Sequence, residues 1–439
     1  MIAPQRRREI IDALRRGTVP QRGLSAFAVG TDRFAAAVDD DLRNVSAGGT
    51  GFKAIRGEYG SGKTFAVRWL AERARNLGFA TAEVQISEGE TPLHHLETVY
   101  RRLCERLTTT DAAGGALRTI IDSWLFALHD DAVASGADPN DEAALGQAID
   151  DLAENRLGSV ASQAPALAAV LRAYRIALAE GDSALAEGLV AWLGGQPHVA
   201  ASIKRAAGIR GDLDHDVALA FLAGLLTILR GAGYTGLVLV LDEVETLQRV
   251  RSDVRDRSLN ALRQLIDEID HGRYPGFYLV ITGTPAFFEE PQGVTRLPPL
   301  MQRLHTDFTT DPRFDNPRAI QLRLRGFDLD SLSEVGRRVR DVYADGTDNR
   351  DRLLDRCNDD YIKTLAVAVT GDLGGKVGVA PRVFLKKLVG DVLDRIDQFH
   401  DFEPRRDYKL TLTDDELTDI ELNARAASSV EDIDLDLDA

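Results

Sequence analysis

Gly57-Glu58-Tyr59-Gly60-Ser61-Gly62-Lys63-Thr64 is the stretch on which the reading of this 439-residue chain turns. Gly57, Gly60 and Gly62 let the backbone curl until several N–H groups face one point, and a helix beginning at the end of the loop adds its positive pole there. Such a loop cradles phosphate. Lys63 is spaced to reach the β- and γ-phosphates of a nucleotide, and Thr64 to set its hydroxyl on Mg²⁺. The flanking sequence agrees. Phe52-Lys53-Ala54-Ile55-Arg56 is short and apolar enough for a strand, and a helix is expected over residues 64–77. Strand, glycine-rich loop and helix, in that order, form the context in which the motif carries weight.

Working outward, a second strand is expected over residues 80–86 and a helix beginning near Pro92, a residue suited to a first helical turn. From about residue 108 to 214 the chain turns rich in alanine and leucine, broken by turns such as Gly136-Ala137-Asp138-Pro139-Asn140-Asp141, with no strand signal. The α/β pattern then resumes with a helix over 217–230. The continuous apolar strands Gly236-Leu237-Val238-Leu239-Val240-Leu241 and Phe277-Tyr278-Leu279-Val280-Ile281 follow, of the kind buried in a parallel sheet. An amphipathic helix over 258–270 separates them, and Ile320-Gln321-Leu322-Arg323-Leu324 is a fifth strand candidate.

Ahead of the loop, helices are expected over 4–16 and 32–45. The expected fold is thus α/β, a parallel sheet flanked by helices of the P-loop NTPase kind. The expected divisions are a helical N-terminal segment (1–50), a nucleotide-binding core (51–330) interrupted by an all-helical insertion (108–214), a helical lid (331–400) and an acidic tail (401–439).

Composition limits the function classes. A chain with 44% hydrophobic and 28% charged residues has the balance of a globular protein, and no apolar run approaches the roughly 20 residues of a membrane span. The first residues show no signal-peptide pattern, so a cytoplasmic location and no membrane contact are expected. Cys104 and Cys357 stand far apart without metal-ligand neighbours and read as buried thiols. His94-His95 begins a helix with no further ligand cluster nearby and reads as capping or surface. The net charge of −16 argues against a surface that clings to nucleic acid everywhere. Yet from Thr413 onward ten acidic residues face only Arg425, so nine of the sixteen charges lie in the tail. The rest of the chain keeps room for a basic face. Lys386-Lys387, Arg337-Arg338 with Arg340, and Arg405-Arg406 are small basic groups that read as solvated helix faces.

A phosphate loop needs a partner for its metal. Leu237-Val238-Leu239-Val240-Leu241-Asp242-Glu243 supplies one at the carboxyl end of a strand, where α/β sheets place their ligands. Asp242 is the expected Mg²⁺ partner, and Glu243 the carboxylate that polarises an attacking water. This Asp-Glu pair resembles the one in the group that includes AAA+ and RecA-like ATPases. With no Asn-Lys-x-Asp motif to read guanine, ATP is the expected nucleotide. By the same resemblance Thr282, or second Thr284, stands where a polar residue positions the water. Pro299-Leu300-Met301-Gln302-Arg303-Leu304 resembles a segment offering an arginine finger to a neighbouring subunit, with Arg303 the choice and Arg296 and Arg313 its rivals. Gly374-Gly375-Lys376-Val377-Gly378-Val379-Ala380-Pro381-Arg382 resembles a second sensor, which gives Arg382 to the γ-phosphate.

The run from Ile10 to Pro20 (Ile-Ile-Asp-Ala-Leu-Arg-Arg-Gly-Thr-Val-Pro), Phe27-Ala28-Val29-Gly30, and the stretch from Phe52 through Thr64 together resemble the ATP-binding BrxD family of bacterial BREX phage-defence systems. The likeness extends through Asp242-Glu243 and Ala380-Pro381-Arg382, and so spans most of the chain. It implies an AAA+-like ATPase, distantly similar to origin-recognition and Cdc6-type proteins, that forms a homo-oligomer. It also implies partner defence proteins such as a helicase, with DNA met directly or through them. In that wider group the segment before the first strand lies near adenine, which puts Val19, Pro20 and Val29 beside the base. One departure is that about 40 residues follow the lid, fewer than the roughly 80 to 100 of the winged helix in origin-binding relatives. No such wing is expected. Two other readings stand beside an ATPase that drives its partners: a nucleotide-bound scaffold with little turnover, and an initiator-like DNA-binding ATPase.

Overall fold

Five strands, β1 (Gly51–Arg56), β2 (Ala80–Gln85), β3 (Leu237–Asp242), β4 (Phe277–Gly283) and β5 (Gln321–Arg323), form one sheet in the order β2-β3-β4-β1-β5. The computed structural model describes residues 2–372, 381–418 and 421–422. β2 pairs in parallel with β3, and β3 with β4, in the registers Gln85 to Asp242 and Leu241 to Ile281. Every residue of β3 and β4 is buried, as their unbroken apolar sequence requires of strands covered on both faces. Parallel pairing sends all three carboxyl ends the same way, which puts Gln85, Asp242 and Thr282 at one edge.

Two compact units divide the chain: Met1–Ala37, Ile55–Glu72 and Asp307–Ala439 in the first, Val38–Ala54 and Arg73–Thr306 in the second. The second unit holds β2, β3, β4 and a run of helices between β2 and β3, among them Leu117–Ala134, Glu142–Leu157, Pro165–Glu180, Ser183–Leu193 and His215–Gly231. Their starts are written locally. Asp141, Asp182 and Asp214 each accept a hydrogen bond from a backbone N–H in the first turn, a cap that contributes about 1 kcal/mol. Trp124, Tyr174, Trp192 and Phe221 are buried in the same core as the strands, with Trp192 and Phe221 edge to face at 5.6 Å. Apolar residues alone do not fill it. Asp150, at the end of a buried stripe, takes both arms of Arg175 at 3.0 and 2.8 Å.

The first unit holds the phosphate-loop helix Lys63–Asn76 up to Glu72, the opening helix Pro4–Arg15, and the helices Leu329–Ala344, Arg350–Arg356, Asp359–Asp372 and Pro381–Lys387. Leu332, Val339, Ile362, Phe384 and Leu388 are fully buried at helical spacing.

Two boundaries differ from expectation. The helix expected near Pro92 begins at Leu96, because residues 92–95 close a turn in which the His95 N–H donates to Pro92 O at 3.0 Å. The helix expected from Ser258 begins at Ser252. Its first turns are polar and escape a reading by apolar periodicity, but buried Arg255 pins them by donating to the carbonyls of Leu247, Gln248 and Val250. The expected stretch from Gly374 to Ala380 and the tail from Asn423 onward lie outside the described residues. Among the described residues no helix is long and apolar enough to cross a membrane.

Candidate functional site

The loop of the first unit leaves β1 at buried Gly57 and enters its helix at Lys63. Gly62 has φ +88°, a left-handed conformation that any side chain would strain. The buried Lys63 ammonium donates to Gly57 O at 2.9 Å and lies 4.9 Å from the centre of the Tyr59 ring, so its charge folds back over the loop. Ser61 Oγ is buried and makes no hydrogen bond, and a Cβ on Gly57 would sit 2.3 Å from it. A buried ammonium and an unsatisfied hydroxyl inside a glycine turn suit the oxygens of a phosphate chain, so the residues present fit the expected nucleotide. Glu58 and Tyr59 are exposed at the rim and Thr64 is half-buried at the helix start.

The same helix reaches back to the segment expected beside the base. Arg68 Nη1 donates to Val19 O at 2.6 Å, and the Glu72 carboxylate accepts from the N–H groups of Gly23 and Leu24. Pro20 is buried, while Val19 and Val29 are half-buried. Arg338 donates to Ala28 O, which fixes the chain beside Val29. Phe27 meets Phe65 of the loop helix edge to face at 5.3 Å.

In the second unit, Asp242, Glu243 and Thr282 meet. Thr282 is fully buried at the carboxyl end of β4; its hydroxyl donates to Asp242 Oδ1 and accepts from the Glu243 N–H at 2.9 Å. Asp242 Oδ1 also accepts from the Glu243 N–H at 3.1 Å. Glu243 has φ +59° and ψ 41°, left-handed for a residue with a side chain, at a cost of about 1 kcal/mol or more. The bonds from Asp242 and Thr282 offset that cost by holding its backbone N–H.

Gln85 was not among the expected site residues. Its Nε2 donates to Glu243 Oε2 at 2.8 Å across the register that pairs Gln85 with Asp242. The signal for it is an amide side chain closing a strand, but only the pairing of strands 158 residues apart gives it meaning. Thr284 is buried too, at the start of the helix Pro285–Glu289, where its side chain makes no capping bond.

The arginines are engaged within their own units. Arg303 pairs with Asp267 and donates to Pro299 O at 3.2 Å. Arg296 pairs with Asp256 and donates to Ser252 Oγ at 2.8 Å, and Arg313 pairs with Asp311. Arg382 donates to Glu421 and to the carbonyl of Glu416. Cys104 and Cys357 are buried free thiols, and burial pushes each thiol up to about 12.

Residues 2–412, nearly the whole chain, match the family described as BREX system ATP-binding protein BrxC/D, and the chain belongs to that family. No curated protein and no solved structure matches it.

Proposed function

We propose that this member of the BREX ATP-binding family hydrolyses ATP at an AAA+-like site and couples the cycle to partner proteins acting on DNA. The observation that carries the reading is the hydrogen-bonded corner of Asp242, Glu243, Thr282 and Gln85 at the carboxyl ends of parallel strands, the edge where such sheets bind ligands. In this reading Gly57, Glu58, Tyr59, Gly60, Ser61 and Gly62 wrap the phosphates with their backbone, and Lys63 supplies charge to the β- and γ-oxygens. Thr64 and Asp242 hold Mg²⁺, which when bound neutralises charge on the phosphates. Glu243 takes a proton from the attacking water, and Thr282 fixes the backbone on which that carboxylate sits. Val19, Pro20 and Val29 flank adenine.

Arg382 answers to the γ-phosphate from the helical lid, and Arg303 serves a neighbouring subunit of a homo-oligomer. The Asp267 bond of Arg303 is then exchanged on assembly. A helicase-type partner, with DNA met directly or through it, fits a defence system in the cytoplasm.

Steady-state ATP turnover of wild type and Glu243→Gln, each with and without DNA, tests this. Loss of the general base should lower turnover by about a hundredfold or more. Equal turnover under every condition would make the protein a nucleotide-bound scaffold instead.

A further inference from the structure

Residues 413–418 and 421–422 of the acidic stretch are held within the first unit. Leu412 and Leu417 are buried, and Thr413 opens a short turn in which its N–H donates to Glu416 Oε2 at 3.3 Å. Two carboxylates, Glu416 between those anchors and Glu421 beyond them, meet three cations of the helix Pro381–Lys387. Arg382 Nε donates to Glu421 Oε1 at 3.0 Å, and its Nη2 donates both to Glu421 Oε2 and, at 2.7 Å, to Glu416 O. Lys387 Nζ donates to both Glu416 oxygens at 2.9 and 2.8 Å, with Asp391 at 3.3 Å and Lys386 also facing Glu416. Burial works against the charge of Glu416, yet the Lys387 bond and the Thr413 N–H hold its carboxyl below the usual range. The Glu421 side chain is 4% exposed and also accepts from Thr418 N at 2.7 Å and Thr418 Oγ1 at 3.0 Å.

Two features separate this contact from an ordinary tether. The guanidinium grips its carboxylate with a two-pronged fork, the geometry with which arginine also grips phosphate, so the two anions compete for the same N–H groups. And Arg382 lies over the loop expected beside the base: a Cβ on Gly17 would stand 3.3 Å from Arg382 Nη1 and 3.5 Å from Lys386 Cδ. Two residues on, that loop is bound to the phosphate helix by Arg68 at Val19 O.

We infer that residues 413–418 together with Glu421 form a cap acting within their own chain. Glu421 and Glu416 occupy Arg382, and the terminal phosphate of a bound nucleoside triphosphate displaces them, which frees both residues. This rests on the proposed contact of Arg382 with that phosphate. The cap makes triphosphate binding and docking of these carboxylates opposing equilibria, so each weakens the other by the same factor. It gives Glu416 and Glu421 a state that reports which nucleotide is bound.

The test compares Mg-ATP and Mg-ADP affinities of the full chain for wild type, Arg382→Ala, the pair Glu416→Gln with Glu421→Gln, and the triple variant. The glutamine pair should tighten ATP about tenfold, within the usual range of coupling between sites, and leave ADP unchanged. The gain should vanish in the Arg382→Ala background. If Arg382→Ala leaves ATP affinity untouched, the contact with the phosphate is wrong and the cap falls with it. If Arg382→Ala weakens ATP but the glutamine pair fails to tighten it, or tightens ADP equally, the cap alone is overturned. Should the glutamine pair not fold, hydrogen exchange of unmodified protein decides. Amides of 413–418 and of 421 and 422 should exchange faster with a non-hydrolysable ATP analogue than with ADP, and equal rates would overturn the cap.

Discussion

In the phosphate loop the groups proposed to meet the nucleotide are backbone N–H groups and one lysine, all within eight consecutive residues. In the carboxylate corner they are the side chains of Gln85, Asp242, Glu243 and Thr282, brought together from three strands. In the loop Ser61 Oγ is buried without a hydrogen bond, and Lys63 turns back on a carbonyl of the loop itself. The corner is saturated among its own members, with the Glu243 N–H shared by Asp242 and Thr282 and the Glu243 carboxylate held by Gln85. The difference separates two tasks. A site that must capture an external anion leaves donors open, whereas a site that must aim a base spends its bonds on fixing geometry before the ligand arrives. Changes in the loop should therefore fall on affinity, and changes in the corner on turnover.

After Glu243→Gln, Thr282→Val should give the largest effect in the corner. It removes the hydroxyl between two buried polar groups, leaving the Glu243 N–H with a poorer partner, at a cost of about 1–3 kcal/mol in stability. Turnover should fall roughly tenfold or more, equivalent to about 1.4 kcal/mol in the barrier, while ATP affinity holds. Thermal unfolding read beside kcat and KM checks it, and a loss confined to KM would break the division of tasks. Gln85→Ala should do less, since its bond to Glu243 is exposed and such bonds contribute about 0.5–1.5 kcal/mol. It should lower kcat a few-fold with KM unchanged. A rise in kcat would instead make Gln85 a restraint that holds the carboxylate away from its water.

The same contrast explains how much could be read from sequence. The loop, its strand and its helix are contiguous, so spacing alone carried them, and the apolar run before Asp242 marked a buried strand with its acid at the end. Gln85 stayed invisible because its role depends on register with a strand far along the chain. The hold on Arg382 was hidden for a similar reason: the sequence marks an arginine before an apolar helix and an acidic stretch near the tail, but nothing local says that they meet. The early start of the helix Ser252–Asp270 was missed because Arg255 stabilises it through backbone carbonyls, an interaction without periodicity. Interactions between neighbours in sequence leave a pattern; those made by the fold leave only residue types.

Equilibrium binding of Mg-ATP to wild type and Lys63→Ala, with circular dichroism to confirm that both are folded, tests most directly whether this loop is where the nucleotide is held. On the proposed reading the removed ammonium serves the phosphates from a buried position, so affinity should fall about a hundredfold or more. A folded Lys63→Ala that binds ATP as tightly as wild type would contradict the account.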